Sequence, residues 1–476
     1  MRGVQIAGAH PREGRRVRWR SFAALAAAAA VSAALAGCTK RAERDAARAT
    51  IERYRRESGA KPLGAAHLVR LRLRPPPGAP PEASGRGEIA WEQDKYRESL
   101  SSQGLFTVRG IQSAKAYFTD EDGVTRVVSE PILKELTTRA YFWRRSWLFE
   151  SLGGARISPG ADGRSVVLEI RGGNPLTLVF TGDGRRLEEA RSPRMRLLFT
   201  AAESYRDLSD PARPLEVDIE WIGLPTALLP DATVGGGSAR FSASPGARYA
   251  AEGGRVLLES TIGELPVRLR LEADGDRLLR VSPRLAERLD LTFRQDASGR
   301  WVTRGAALAA GGVRFADLAV ARDERLTGEE AEAGAPFFRE TVVEIDPAAG
   351  MMRFHDPETW APPENLVRVL IDDDGDRPAA IFTRGGETLR LLFPTAIEPE
   401  LLLAPMAADR VGLGSSGQAD GLRWGALRMP PMPFARAADR FDPEWGDHGA
   451  LGWPVLLRQR TYIHMPRRWL YLDARL

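Results

Sequence analysis

Cysteine is almost missing from this chain: Cys38 is the single one among 476 residues. One thiol can form no internal disulfide and no thiolate metal cluster, so packed cores must hold the protein together. Histidine is scarce too, at five residues. Beyond the N-terminal segment only His67, His355, His448 and His464 remain, widely separated, with no HExxH and no pair at helical metal spacing. A serine hydrolase would want Gly-x-Ser-x-Gly, which Gly412-Leu413-Gly414-Ser415-Ser416-Gly417 misses by one residue. Gly235-Gly236-Gly237 lacks the Lys and the strand-to-helix setting of a phosphate loop. Asp372-Asp373-Asp374-Gly375-Asp376 is a poor calcium loop, because its Gly comes too early and Thr383 stands where the last ligand should be Glu. It reads as an Asp-Gly hairpin turn with solvated charges, as does Asp120-Glu121-Asp122-Gly123. No metal and no cofactor is expected.

The N-terminus does carry a strong pattern. Arg2, Arg12, Arg15, Arg16, Arg18 and Arg20 precede an Ala-rich apolar run from Phe22 to Ala36, which closes on Leu35-Ala36-Gly37-Cys38. A charged start, an apolar stretch too short to span a bilayer comfortably and a small-residue cleavage site make a secretion signal. Its end resembles the lipobox of bacterial lipoproteins. The resemblance implies that residues 1–37 are removed, that Cys38 receives diacylglycerol through its thiol, and that it becomes the acylated first residue. No free thiol would then remain as a nucleophile. Thr39, in place of Asp, follows the Cys. By the sorting rule of enteric bacteria this implies an outer-membrane lipoprotein facing the periplasm, with the inner membrane or the cell surface as alternatives. The segment holds six of the 68 bases and one of the 63 acids, so removing it leaves 62 of each. That balance argues against nucleic acid or an anionic lipid surface as the main partner.

The mature length of about 440 residues suits two to four domains. Residues 38–61 combine the anchor with a charged, Ala-rich stretch, Arg41 to Lys61, that suggests a helix. Residues 62–232 read as strands: His67 to Arg74, Arg86 to Leu100, Leu105 to Phe118, Arg156 to Arg171, Leu176 to Phe180, Leu187 to Ser192 and Met195 to Thr200. Turns are expected at Asp122-Gly123, Asp162-Gly163 and Asp183-Gly184. Glu130 to Leu152 interrupts them with the spacing of one or two short helices. An N-terminal helix, a long antiparallel meander and a helical insertion resemble the half-barrel of the periplasmic lipoprotein carriers of the LolA/LolB type. In that family the concave face binds acyl chains; a filled sheet core would give the same sequence pattern.

After Val234-Gly235-Gly236-Gly237-Ser238, which reads as a linker, two stretches look alike, 240–361 and 365–474. Each runs from strands into a short helix, Ser282 to Leu289 in one and Ala404 to Leu413 in the other. Each closes on a similar pair of segments ending at Phe354 and Leu472. The two stretches resemble the retropepsin-like lobes of bacterial aspartyl proteases, in which each lobe presents an Asp-Thr/Ser-Gly loop. The fold class expected is therefore mainly β, a LolA-like half-barrel with a helical insertion followed by two tandem acid-protease-like lobes.

The catalytic text itself is missing. Aligned from Val267 to Leu271, the Asp position falls on Glu272; counted back from Ser282-Pro283, it falls on Ala273. In the second lobe Phe393 or a neighbour stands there, and no acid follows until Glu398. Asp274 and Asp276 could supply displaced acids in the first lobe only. One carboxylate cannot serve as both acid and base of a dyad. The expectation is a non-catalytic, aspartyl-protease-like binding or scaffolding protein, with a peptide, protein or lipid as ligand. The alternatives are a lipid carrier working through the half-barrel and an aspartic peptidase with an atypical site. The ring-rich stretches Tyr141-Phe142-Trp143 with Trp147, and Trp453 with Tyr462, Trp469 and Tyr471, read as core filling more than as a binding platform.

Overall fold

The computed structural model describes residues 41–473, apart from 129, 150–152, 212–213, 224–228, 233–238, 274–278, 374–377, 416, 438–440 and 442–446. The signal segment and Cys38, the glycine linker, and Asp274 and Asp276 therefore lie outside the described residues. The fold is mainly β and is built from two large sheets. Among the described residues no helix is long and apolar enough to cross a membrane.

Helix α1 covers residues 41–58 and buries Ala47 and Ile51 against the first sheet. That sheet has thirteen antiparallel strands, and its first and last, Ala66–Leu73 and Leu215–Gly223, are paired at its middle. From there the chain meanders outward to the edge strand Thr125–Val127. Helix α2, Glu130–Trp143, carries it to the opposite edge, Arg156–Pro159, from which it meanders back. The alternation in Ala66–Leu73 shows why: Val69, Leu71 and Leu73 are buried while Arg70 and Arg72 between them are exposed. Trp143, Trp147, Phe142, Phe180 and Tyr205 fill the space between α2 and the sheet.

Two long strands expected from the sequence are hairpins. Arg86 to Leu100 divides into Gly85–Glu92 and Lys95–Ser102, and Leu105 to Phe118 into Leu105–Gln112 and Lys115–Thr119. The turns use Gln93, Ser113 and Ala114 at positive φ, where the usual Gly signal is missing. Gly123, Gly163 and Gly184 do sit at positive φ in the turns where an Asp-Gly pair marks them.

The second sheet runs from Arg240 to Asp473 and repeats one pairing scheme twice. In its first half six strands close into a barrel. Arg255–Ile262 pairs antiparallel with Leu265–Leu271, which pairs parallel with Glu330–Ala333. Leu279–Val281 lies between Glu330–Ala333 and Val313–Arg322, and Trp301–Ala310 joins the latter back to Arg255–Ile262. In the second half Glu387–Thr395 pairs parallel with Gly449–Gly452, and Leu401–Leu403 parallel with Met432–Arg436. Short helices occupy equivalent places: α3 Pro283–Arg288 and α5 Pro405–Arg410, then α4 Ala335–Glu340 and α6 Trp453–Leu456. All four begin with Pro at the first or second position, where its missing N–H is harmless.

The halves share a six-stranded antiparallel sheet, ordered Ala247–Glu252, Met351–His355, Val342–Asp346, Thr461–His464, Trp469–Asp473, Leu366–Asp373. At its centre Val343 faces Ile463 and Glu344 faces Tyr462. One continuous apolar core runs through both halves.

The two large sheets also touch. Leu105 packs against Val302, Ala319 and Ala321, Ser102 Oγ accepts from Ala297 N at 3.0 Å, and Asp122 Oδ1 accepts from Ala319 N at 2.8 Å. The acidic turn Asp120–Gly123 is thus half of a contact between the sheets, and its charges are not solvated as the sequence suggests. Asp120 is buried, takes N–H donors from Asp122 and Val124, and is paired with Arg126 at 2.9 Å.

Candidate functional site

Two places bring polar side chains together inside the fold: the loops that follow Leu265–Leu271 and Glu387–Thr395, and the space beneath α2. The first pair of loops meets directly. Ala273 N donates to Pro394 O at 3.3 Å, and the Glu272 carboxylate accepts from Ala396 N at 3.0 and 3.1 Å. Trp453 Nε1 donates to Leu271 O at 3.0 Å from the other half. Glu272 and Ala273 are buried, at 5% and 0% exposure.

Strand pairing defines which residues are equivalent. Leu271 pairs with Ala333 just before the cap residue Gly334, so Glu272 stands level with that cap. Thr395 pairs with Gly452, the cap of α6. Thr395 is therefore the counterpart of Glu272, and its hydroxyl donates to Leu451 O at 3.1 Å. Phe393 is 1% exposed and packs edge-on against Trp424 with ring centroids 5.6 Å apart. The second-half loop Phe393-Pro394-Thr395-Ala396-Ile397 carries no carboxyl group.

Glu272 is also held from behind. Arg270 lies 3.5 Å from it and 3.1 Å from Glu332; Arg280 continues the ladder to Glu332 at 3.0 Å and Asp323 at 3.6 Å. Buried charges are tolerated where opposite charges and donors surround them. Above the loops the turn at Gly253-Gly254 rests on Ile397 and Glu398. Gly254 has φ +73°, and a Cβ there would collide with the Ile397 carbonyl. The loops in the two halves are thus joined by main-chain contacts and roofed by a glycine turn. The sequence points to Glu272, Ala273 and Phe393 at these loops and gives no role there to Thr395, Arg270 and Trp453, whose parts depend on pairing between distant segments.

Beneath α2 the face of the first sheet is packed with buried side chains. Arg139, 3% exposed, reaches Glu98 at 2.6 Å, and Glu98 is also held by Arg109 at 2.6 Å and by the Tyr96 hydroxyl. Burial alone would raise the Glu98 carboxyl, but Arg109 and Arg139 outweigh it and bring it down to about 2. Tyr96, wholly buried beside that carboxylate, is pushed well above its ordinary value. One turn earlier Glu135 takes the Ser192 hydroxyl at 2.8 Å and the Asn174 amide at 3.0 Å. What remains open is a cleft of about 280 Å³ beside the end of α2, bordered by Tyr96, Ile111, Tyr141, Arg144, Ser146 and Gly153. Of the ring-rich stretches, Phe142, Trp143, Trp147, Trp453, Tyr462 and Tyr471 are buried in the core; Trp469 and Tyr141 are half-buried, and Tyr141 faces the cleft.

The histidines are scattered. His67 stacks on Trp91, His355 bonds Glu344 at 2.8 Å, and His464 caps a short turn through Nδ1. Burial lowers His464 to about 4, so it is neutral at ordinary pH. Among the described residues no group of three His, Cys, Asp or Glu is placed to hold a metal. Asp372 and Asp373 are engaged by Arg390 and Arg339, each at 2.8 Å, so this turn is tied to the core on its described side. Compared with known proteins, the chain matches no protein-family model and no curated protein at a significant level.

Proposed function

We propose that this chain is a membrane-anchored lipoprotein facing the periplasm that works by binding or scaffolding and not by catalysis. In this reading Cys38 carries the acyl anchor, and the two C-terminal halves are aspartyl-protease-like lobes without a dyad. The observation that carries it is the state of the two loops. The carboxylate at Glu272 is occupied by the Ala396 amide and the Arg270 side chain, and its counterpart is Thr395. Proton sharing in an aspartic dyad needs two carboxylates side by side. The repeated parallel pairing supports the likeness to such lobes, as does the shared six-stranded sheet.

The test has two arms. The full chain, incubated with a fluorescently labelled denatured protein from pH 3 to pH 7, should release no peptides; cleavage that Glu272→Gln abolishes would overturn the non-catalytic reading. In bacteria, the wild-type chain should fractionate with membranes and take up labelled palmitate, and Cys38→Ser should do neither. Equal membrane association of the two would sink the anchor.

A lipid carrier acting through the N-terminal sheet is the second reading. The cleft beside α2 favours it, whereas the rings and the Glu98–Arg139 pair fill much of the concave face. Phospholipid or acyl chains copurifying with the full chain would support it.

A further inference from the structure

The cleft beside α2 has a chemical character of its own. Helix α2 ends at Trp143, and Arg144 and Arg145 turn the chain, with Arg145 at φ +58°, into the short helix Ser146–Leu148. Arg144 is thereby laid along the cleft wall. Its Nη2 donates to the main-chain carbonyls of Lys95 at 3.1 Å and Gln93 at 3.4 Å, and its Nε is buried without a partner. Among the described residues no carboxylate lies within ion-pair distance of it.

The contrast with its neighbours is sharp. Arg139 has Glu98, Arg339 has Asp373 and Arg390 has Asp372. A guanidinium taken out of water without a counter-charge is costly, and desolvation does pull Arg144 below the usual arginine value. The cost is offset when an anion enters the cleft beside it.

The rest of the lining suits such a guest. Ser146 is 5% exposed, and its hydroxyl has no hydrogen-bond partner among the described residues. Burial lifts the Tyr141 phenol to about 12, so it stays protonated and able to donate. Ile111, Ala140 and Ile170 supply an apolar wall. Among the described residues the lining carries two cations, Arg144 and the exposed Arg171, and one acid, the exposed Asp94. The volume falls near the lower end for small-molecule sites, which run from roughly 300 Å³ upward.

We infer that this cleft binds a small carboxylate carried on a short apolar body, with Arg144 as its charge partner and Tyr141 and Ser146 as neutral donors. The Arg144 guanidinium supplies the charge that a carboxylate needs. A phosphate monoester carries nearly two charges near pH 7 and would call for a second cation drawn out of water, whereas Arg171 at the cleft is exposed. The inference does not depend on the anchor or on the fate of the C-terminal loops.

Isothermal titration calorimetry tests it, using the full chain in a non-ionic detergent at low ionic strength. The probes are hexanoate, 1-hexanol and hexyl phosphate, each taken to about 10 mM, a range that reaches weak binding. Hexanoate should bind saturably, with hexanol and hexyl phosphate at least roughly tenfold weaker. Arg144→Gln should weaken hexanoate binding by about tenfold or more, and Tyr141→Phe by about threefold or more. The inference is overturned by no saturable hexanoate binding, by equal binding of hexanol, by tighter binding of hexyl phosphate, or by unchanged affinity in Arg144→Gln. Should circular dichroism show Arg144→Gln unfolded, Tyr141→Phe decides, because it keeps the ring and deletes only the donor; unchanged affinity in that variant overturns the assignment.

Discussion

Trp453 and Leu271 join the two halves of the second sheet through one hydrogen bond, from the indole Nε1 to the main-chain carbonyl at 3.0 Å. Both residues are wholly buried, and the indole also packs against Phe338 with ring centroids 6.2 Å apart. Trp453→Phe keeps most of the ring and leaves the Leu271 carbonyl short of a partner, at a cost of about 1–3 kcal/mol. Trp453→Ala adds a cavity and should cost about 3–5 kcal/mol. Urea unfolding should show both as lower midpoints, and a midpoint unchanged in Trp453→Phe would mean that the hydrogen bond contributes nothing.

Asp122 makes the contact between the two large sheets sensitive to pH. Burial raises its carboxyl from 3.8 to about 7; the Ala319 N–H offsets this in part, and Asp120 adds to it. The charged groups facing it are Asp120, Asp317 and Arg304, with Glu121 and Arg300 nearby. The folded state holds the proton more tightly than the unfolded state does. Its contribution is therefore complete below pH 4 and lost as pH rises through 7. Asp122→Asn should flatten the melting-temperature profile between pH 4 and pH 8 and be the more stable form at pH 8. Parallel profiles for the two proteins would show that Asp122 does not titrate in that window.

Glu98 behaves in the opposite sense. Its carboxyl is lowered to about 2, so its stabilising effect is present above the ordinary glutamate value and fades as pH falls towards 2. Glu98→Gln would leave Arg139 buried with Asp207, 3.6 Å away, as its remaining carboxylate. Removing one partner from a buried pair costs about 3–5 kcal/mol. Chemical denaturation at pH 7 should register that loss, and a loss under 1 kcal/mol would assign the balance to Asp207.

Glu272 is expected to matter for stability and not for turnover. Glu272→Ala leaves Ala396 N and Arg270 without that carboxylate, a loss of about 1–3 kcal/mol. Thermal unfolding measures it, and an unchanged melting temperature would contradict a structural role for this carboxylate.

Local order was legible in the sequence wherever chain chemistry is local. Ser282 followed by Pro283 announces a capped helix, and Ser282 Oγ does accept from Leu285 N at 3.1 Å. Asp-Gly pairs announced turns at Gly123, Gly163 and Gly184. Turns through Gln93 and Ser113-Ala114 left no such mark, so two hairpins read as single strands. What could not be read was anything set by distant partners. The pairing of Val343 with Ile463 joins segments far apart in sequence, and the burial of Asp122 depends on a strand near residue 319. Glu272 could be placed on its loop from sequence, yet its occupation by Ala396 and Arg270 could not. Arg144 was silent for the same reason, since a missing counter-charge is visible only once the neighbours are assembled.

The strand Val342–Asp346 is completed on one side by Met351–His355 and on the other by Thr461–His464, which belongs to the second half. During synthesis the first half therefore waits with an open β edge until Thr461–His464 emerges. A chain terminated before Thr461 would keep that edge for good, offering a row of unpaired main-chain donors and acceptors to any neighbouring strand. Truncation ahead of Thr461 therefore exposes a strand edge to self-association as well as shortening the product.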